Sequence, residues 1–153
     1  MFDMSQLIKM QNIQVQQEVA NWEEAIRKAG QLLLANKSIG SDYIEDMVNA
    51  IHELGPYIVI APHIALAHAR PSDKVKRNDI SVITLKQPVA FGSEHNDPVN
   101  IVFAFCATES GGHLEQLTNL ASLLDKDTVL SVLNNSNSNE EVFQILNNEF
   151  KGE

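Results

Sequence analysis

The pattern of apolar and polar positions divides the chain into a helical beginning, a strand-rich middle and a helical end. Residues 12–18, NIQVQQE, alternate weakly and predict a short strand. Asn21, with Glu24 three residues on, forms a capping-box signature. It predicts a helix to about residue 35, with Ala25, Ala29, Leu32 and Leu33 along the apolar stripe. A second helix is expected from Ser41 to Leu54, with Ile44, Met47, Val48 and Ile51 on one face; Gly55 suits its C-terminal cap and Pro56 blocks continuation. Short apolar runs then predict strands at 57–61, 64–70, 80–85 and 99–107, the last nearly continuous and therefore central and buried. A turn or hairpin containing Pro88 is expected at 86–92. Helical spacing returns at 114–124, where Leu117, Leu120, Ala121 and Leu124 share a face. A short helix follows near 128–133, and Ser138 with Glu141 is a second capping box that opens a last helix to about residue 150.

This order predicts an α/β fold, a mixed β-sheet of four to five strands flanked by helices. The sheet need not be all parallel, because several connections are too short for crossover helices. No repeat or linker divides the chain, and the polar patch NNSNSN at 134–139 reads as a loop between helices. A length of 153 residues fits a single domain over 1–153 with a sizeable core.

Composition narrows the function classes. Apolar residues make up 44% and charged residues 20%, ordinary for a globular fold, while aromatics at 6% leave the core to aliphatic side chains. A formal net charge of −9 argues against nucleic-acid or anionic-membrane binding, both of which need clustered Lys and Arg. The lone cysteine, Cys106, lies in an apolar run and reads as a buried inert thiol, with no metal-type spacing around it. No secretory leader is visible, and no apolar run approaches the roughly 18 residues of a membrane helix. The expected location is the cytoplasm, without direct membrane insertion.

Candidate chemistry rests on the five histidines. His52 sits near a helix C-terminus, where a contact with the helix dipole explains it, and His95 lies in the polar loop SEHND. The segment 64–70 is more informative. Strand alternation places Ile64, Leu66, His68 and Arg70 on one face and Ala65, Ala67 and Ala69 on the other, where small side chains suit close packing. His68 and Arg70 would then stand roughly 7 Å apart at the strand margin, before Pro71. A neutral imidazole is a nucleophile near neutral pH, and an arginine holds phosphate oxygens well. On these residues alone, a structural and a phosphoryl-carrying His68 both stay open. His63 has the opposite parity and reads as a strand-entry residue. His113 follows Gly111–Gly112 at the head of a helix, where an anion could be met, and Thr108, Glu109 and Ser110 lie on the same approach.

The stretch GPYIVIAPHIALAHARP (55–71) resembles the active-site segment of phosphotransferase-system (PTS) IIA components of the mannitol–fructose type, with the ascorbate branch nearest. FGSEHNDPVNIVFAFCA (91–107) is similar to the family's phenylalanine, acidic loop, DPV and apolar strand. HLEQLTNLASLL (113–124) is similar to the helix headed by the family's second active-site histidine. The likeness runs from Met4 to about Phe150. It implies one IIA domain, a phosphotransferase in which His68 accepts a phosphoryl group from the carrier protein HPr and passes it to a cysteine of a cognate IIB. IIB in turn serves the membrane IIC permease in sugar uptake, with an ascorbate or pentitol-like substrate suggested by the branch. His113 would stabilise the group being transferred. Arg70 is added as a phosphate contact from the strand-face argument. No cofactor or metal is implied. The sequence departs from the family at two positions: Ala67 stands where proline usually precedes the active histidine, and His63 where the ascorbate branch commonly has glycine.

Two other readings compete with this one. The same fold could act as a phosphorylation-dependent regulatory module that binds a transcription factor or other protein. A zinc-dependent hydrolase using His63, His68 and His113 is disfavoured by strand parity and by the lack of an HxH or HExxH pattern.

Overall fold

A computed structural model describes residues 6–109 and 114–151. Five strands, β1 (Ile13–Gln17), β2 (Val59–Ala61), β3 (Ile64–Ala67), β4 (Asp79–Val89) and β5 (Val99–Cys106), form one sheet in the order β1-β4-β5-β3-β2. The sheet is mixed: β1 runs parallel to β4 and β3 parallel to β5, while β4–β5 and β2–β3 are antiparallel. Five helices flank it: α1 (Trp22–Ala35), α2 (Ser41–Leu54), α3 (Leu114–Leu124), α4 (Asp127–Asn135) and α5 (Asn139–Lys151).

The helix limits follow from local chemistry. The Asn21 side chain accepts the Glu24 N–H at 2.9 Å, and the Glu24 carboxylate reaches back to the Ala20 N–H at 2.6 Å. The Ser138 hydroxyl accepts the Glu141 N–H in the same manner at the start of α5. Gly55 ends α2 at a φ of +86°, a conformation costly for any residue with a Cβ. Helices α1 and α2 approach closely at Gly30, where a Cβ would stand 2.9 Å from Ile44 Cγ1.

Each sheet face carries its own core. On one side Ala25, Ile26, Ala29 and Leu33 of α1 and Ile44, Met47 and Ile51 of α2 share a cluster with Ala65, Ala67, Val102 and Ala104. On the other, Leu120, Leu123, Val129, Leu133, Val142 and Leu146 of α3–α5 cover Ile64, Leu66, Val82, Ile101, Phe103 and Phe105. The alternation expected from Ile64 onward therefore holds through β3, with the alanines facing the helical layer of α1 and α2.

Four expectations are corrected. β3 ends at Ala67 instead of running to Arg70. β2 begins at Val59 rather than Tyr57. β4 continues through Pro88 to Val89, where a turn was expected; the β4–β5 register shifts between Thr84 and Val89, so the missing proline N–H falls in a stretch without regular pairing. In α3 the buried positions are Leu120, Leu123 and Leu124, and Ala121 is exposed.

Asp79, at the start of β4, is a buried carboxylate surrounded by donors. It accepts from Asn12 Nδ2 at 2.9 Å, Asn36 Nδ2 at 2.8 Å, Ser38 Oγ at 2.6 Å and its neighbour's Ile80 N–H at 3.0 Å. It thereby joins the segments before β1 and after α1 to the sheet.

Candidate functional site

The chain turns out of the sheet immediately after Ala67, and the first residue outside is His68. Its imidazole is half-buried and stacks on Phe105 of β5, with ring centroids 5.0 Å apart and planes 23° from parallel. Tyr57 meets the same ring edge-on at 5.7 Å. His68 Nδ1 lies 2.9 Å from the Leu66 carbonyl oxygen. A carbonyl only accepts, so Nδ1 carries a proton, and in the neutral form of the ring the lone pair is then on Nε2. The site thus presents a tautomerically fixed imidazole on an aromatic support.

His68 lines an open cleft of about 800 Å³ with Asp46, Glu53, Leu54, Tyr57 and Arg70. The cleft has apolar margins, since Leu54 and Tyr57 are exposed. Arg70 reaches the same cleft and is exposed, and among the described residues no hydrogen bond or ion pair ties its guanidinium. His68 and Arg70 therefore line the same cleft, but not through strand parity, since β3 ends at Ala67 and neither residue belongs to it. Of the acidic residues in the cleft, Asp46 is paired with Lys74 at 2.9 Å. Its partner's ammonium is held above the ordinary lysine value by that hydrogen bond.

The other histidines lie elsewhere. His63 occupies the turn before β3, at the end opposite His68. It adopts a left-handed φ of +72°, and its Nδ1 is 2.7 Å from the Pro98 carbonyl oxygen. Its backbone is fixed as well: the N–H donates to Asn96 O, and the carbonyl accepts from Asn100 and Ile101. His52 Nε2 sits 2.9 Å from Glu23 Oε2 and against the edge of Trp22, so it ties α2 to α1. His95 is exposed. His113 and Ser110 lie outside the described residues. Thr108 is exposed and its N–H donates to Asn78 Oδ1 at 2.9 Å. Cys106 is a buried thiol whose pKa burial pushes up to about 12, with the charge of nearby Asp79 adding to the shift. No helix among the described residues is long and apolar enough to cross a membrane.

A family model described as "Phosphoenolpyruvate-dependent sugar phosphotransferase system, EIIA 2" matches residues 6–149. The chain belongs to this family. EIIA components are phosphotransferases that carry a phosphoryl group within sugar uptake systems. The ascorbate-specific PTS system EIIA component of Salmonella typhimurium is 36% identical over 118 residues, 74% of this chain and 77% of that protein. The crystal structure of the mannitol IIA of Escherichia coli matches with a TM-score of 0.80 at 27% identity, covering 91% of this chain and 98% of that one. The Escherichia coli complex of mannitol IIA with phosphorylated mannitol IIB contains a chain that matches with a TM-score of 0.80 at 26% identity, covering 91% and 96%.

Within this EIIA fold, sequence reasoning missed three residues that shape the His68 environment: Phe105, Tyr57 and Tyr43. Phe105 follows from strand register, because β3 and β5 pair Ala67 with Ala104 and the next residues along are His68 and Phe105. Tyr43 shares a helix face with Met47 and Ile51 at intervals of four, and was hidden among core residues.

Proposed function

We propose that His68 is the phosphoryl-carrying residue of this EIIA chain, taking the group from phospho-HPr and giving it to a cysteine of a cognate IIB. The observation that carries the reading is the bond from His68 Nδ1 to the Leu66 carbonyl, which reserves Nε2 for nucleophilic attack. In the first half-reaction the Nε2 lone pair attacks phosphorus, an Nε2–P bond forms, and the donor's N–P bond breaks with its electron pair returning to the donor imidazole. The ring gains positive character, which the Leu66 carbonyl dipole stabilises through the retained Nδ1–H. In the second half-reaction a IIB thiolate attacks phosphorus, and Nε2 leaves with the bonding pair. Nothing is oxidised or reduced, and both steps depend on positioning and charge stabilisation. Arg70 is assigned to the phosphoryl oxygens, and His113, by the family resemblance, to stabilising the group being transferred.

Exposed Leu54 and Tyr57 beside the imidazole give a partner protein an apolar margin to cover while the phosphoryl group passes. The structural match to a IIA bound to phosphorylated IIB supports IIB as that partner. The likeness to ascorbate-specific components supports an ascorbate-like substrate for the uptake system, with IIC as the membrane partner and the cytoplasm as the place of action. The reading takes residues 1–153 as one IIA domain.

The test is phosphorylation by radiolabelled phosphoenolpyruvate with enzyme I and HPr. Wild type should take acid-labile, alkali-stable label, and His68→Ala none. Label retained by a folded His68→Ala variant overturns the assignment. Subsequent addition of IIB should move the label to cysteine.

A further inference from the structure

β3 and β5 run parallel and in register from Ile64 with Ile101 to Ala67 with Ala104. The following pair in that register would be His68 with Phe105, and there β3 ends. The Tyr43 hydroxyl, delivered by α2, lies in the opening. It accepts the Ala69 N–H at 3.0 Å, and its proton is within reach of two carbonyl oxygens, Phe105 at 3.0 Å and Ala69 at 3.1 Å. Since a phenol has one proton, it donates to one carbonyl at a time or shares it between them. The side chain is 1% exposed, and burial raises its pKa well above the ordinary tyrosine value, so the hydroxyl keeps its proton at neutral pH.

These contacts meet at His68 from two directions. Ala69 is the residue after it in the chain, and Phe105 is the residue on whose ring it stacks. We propose that Tyr43 is a positioning residue for phosphoryl transfer: its hydroxyl replaces strand pairing beyond Ala67 and fixes the backbone after His68 to that of Phe105. The inference rests on the assignment of His68 as the carrier. With the Leu66 carbonyl bound by Nδ1–H on one side and Ala69 bound by Tyr43 on the other, the imidazole has one seat on Phe105. Removing the hydroxyl leaves that seat open to alternatives without altering any group that touches phosphorus.

Tyr43→Phe separates this role from a merely structural one. Ser81→Ala is the control: Ser81 is fully buried and donates to Ala29 O at 2.7 Å, a comparable hydrogen bond outside the His68 segment. Both variants are assayed where they are folded, for label uptake from phospho-HPr and delivery to IIB. A two-bond 1H–15N correlation of the imidazole reads which ring nitrogen of His68 is protonated. Tyr43→Phe should slow transfer about ten- to a hundredfold and broaden or split the His68 ring signals, whereas Ser81→Ala leaves both unchanged. Full-speed transfer in folded Tyr43→Phe, or an equal loss in Ser81→Ala, overturns the proposal. Hydrogen exchange of the wild-type Ala69 amide adds a measurement that survives a failure of the variant to fold. Its protection should match the β5 amides, although Ala69 lies outside any strand, and exchange at an open-loop rate counts against Tyr43. His68→Ala is run alongside: label on that variant removes the carrier assignment itself, whereas an inert His68→Ala with normal Tyr43→Phe removes the Tyr43 role alone.

Discussion

Replacing His63 by glycine, alanine and valine in turn measures how much strain the turn before β3 holds. The backbone there is left-handed at a φ of +72°, and its N–H and carbonyl are both engaged by the 96–101 segment, so the conformation is imposed whatever side chain is present. For a residue with a Cβ this region costs about 1–2 kcal/mol. Glycine avoids that cost but loses about 0.5–1 kcal/mol through its freer unfolded chain. All three variants lose the Nδ1 bond to Pro98 O, which at an exposed site contributes about 0.5 kcal/mol. The sum places His63→Gly between about 0.5 kcal/mol below and about 1 kcal/mol above wild type, His63→Ala about 0.5 kcal/mol below it, and His63→Val lower again, since branching at Cβ worsens the clash. Urea unfolding at neutral pH resolves these steps, and each 1 kcal/mol should move Tm by about 2–4 °C in a chain of this size. Label uptake from phospho-HPr should be the same in all three, because His63 is at the other end of β3 from His68. Valine matching glycine in stability, or alanine exceeding it, would falsify the strain argument. Loss of label in a folded His63→Gly would place His63 in the transfer itself.

Arg70→Ala should slow phosphoryl uptake roughly ten- to a hundredfold with unchanged urea unfolding, and Arg70→Lys should recover part of the rate; an unaltered rate in Arg70→Ala dismisses the phosphate contact. Asp79→Ala leaves Ser38 Oγ without its acceptor and weakens Asn12 and Asn36. It should cost about 3–5 kcal/mol in chemical denaturation, and a loss under about 1 kcal/mol would show the carboxylate to be dispensable. Cys106, with its thiol pKa pushed up to about 12 and its side chain buried, should react with a disulfide reagent at pH 8 only as fast as the protein opens; rapid labelling of native protein would contradict its burial.

What the sequence made legible was local. Helix α1 was bracketed by Asn21 and Glu24, α2 by its apolar face and Gly55, and α5 by Ser138 and Glu141, all interactions within a few residues. Strand parity in 64–67 was also local, and it carried His68 to the same side as Phe105. What escaped was set from a distance. Nothing between Ile64 and Pro71 announces that β3 stops at Ala67, because the residue occupying the gap, Tyr43, comes from α2. Nothing in the 86–92 segment says that Pro88 coincides with a register shift against β5. The left-handed turn at His63 is likewise imposed by Asn96, Asn100 and Ile101, from the start of the neighbouring strand β5 and the loop before it. The candidate site followed the same division: the histidine proposed as carrier could be singled out from local residues, and the contacts that seat its ring could not.

That division also settles how to regard Ala67, which stands where the family usually has proline before the active histidine. Proline would fix φ at that position and remove an N–H, giving the following residue a defined start. In this chain Ala67 is 1% exposed, paired in register with Ala104 and packed in the core shared with α1 and α2. Its backbone is therefore fixed by tertiary packing and strand register instead of by a ring. The residue after it is held to Phe105 by stacking, and the one after that by the Tyr43 hydroxyl. A proline constrains one dihedral angle; these contacts constrain three consecutive residues against β5. The substitution consequently transfers control of the His68 geometry from the chain itself to α2 and β5, so on the proposal that His68 is the carrier, Tyr43 and Phe105, more than Ala67, are the positions at which transfer efficiency would be set.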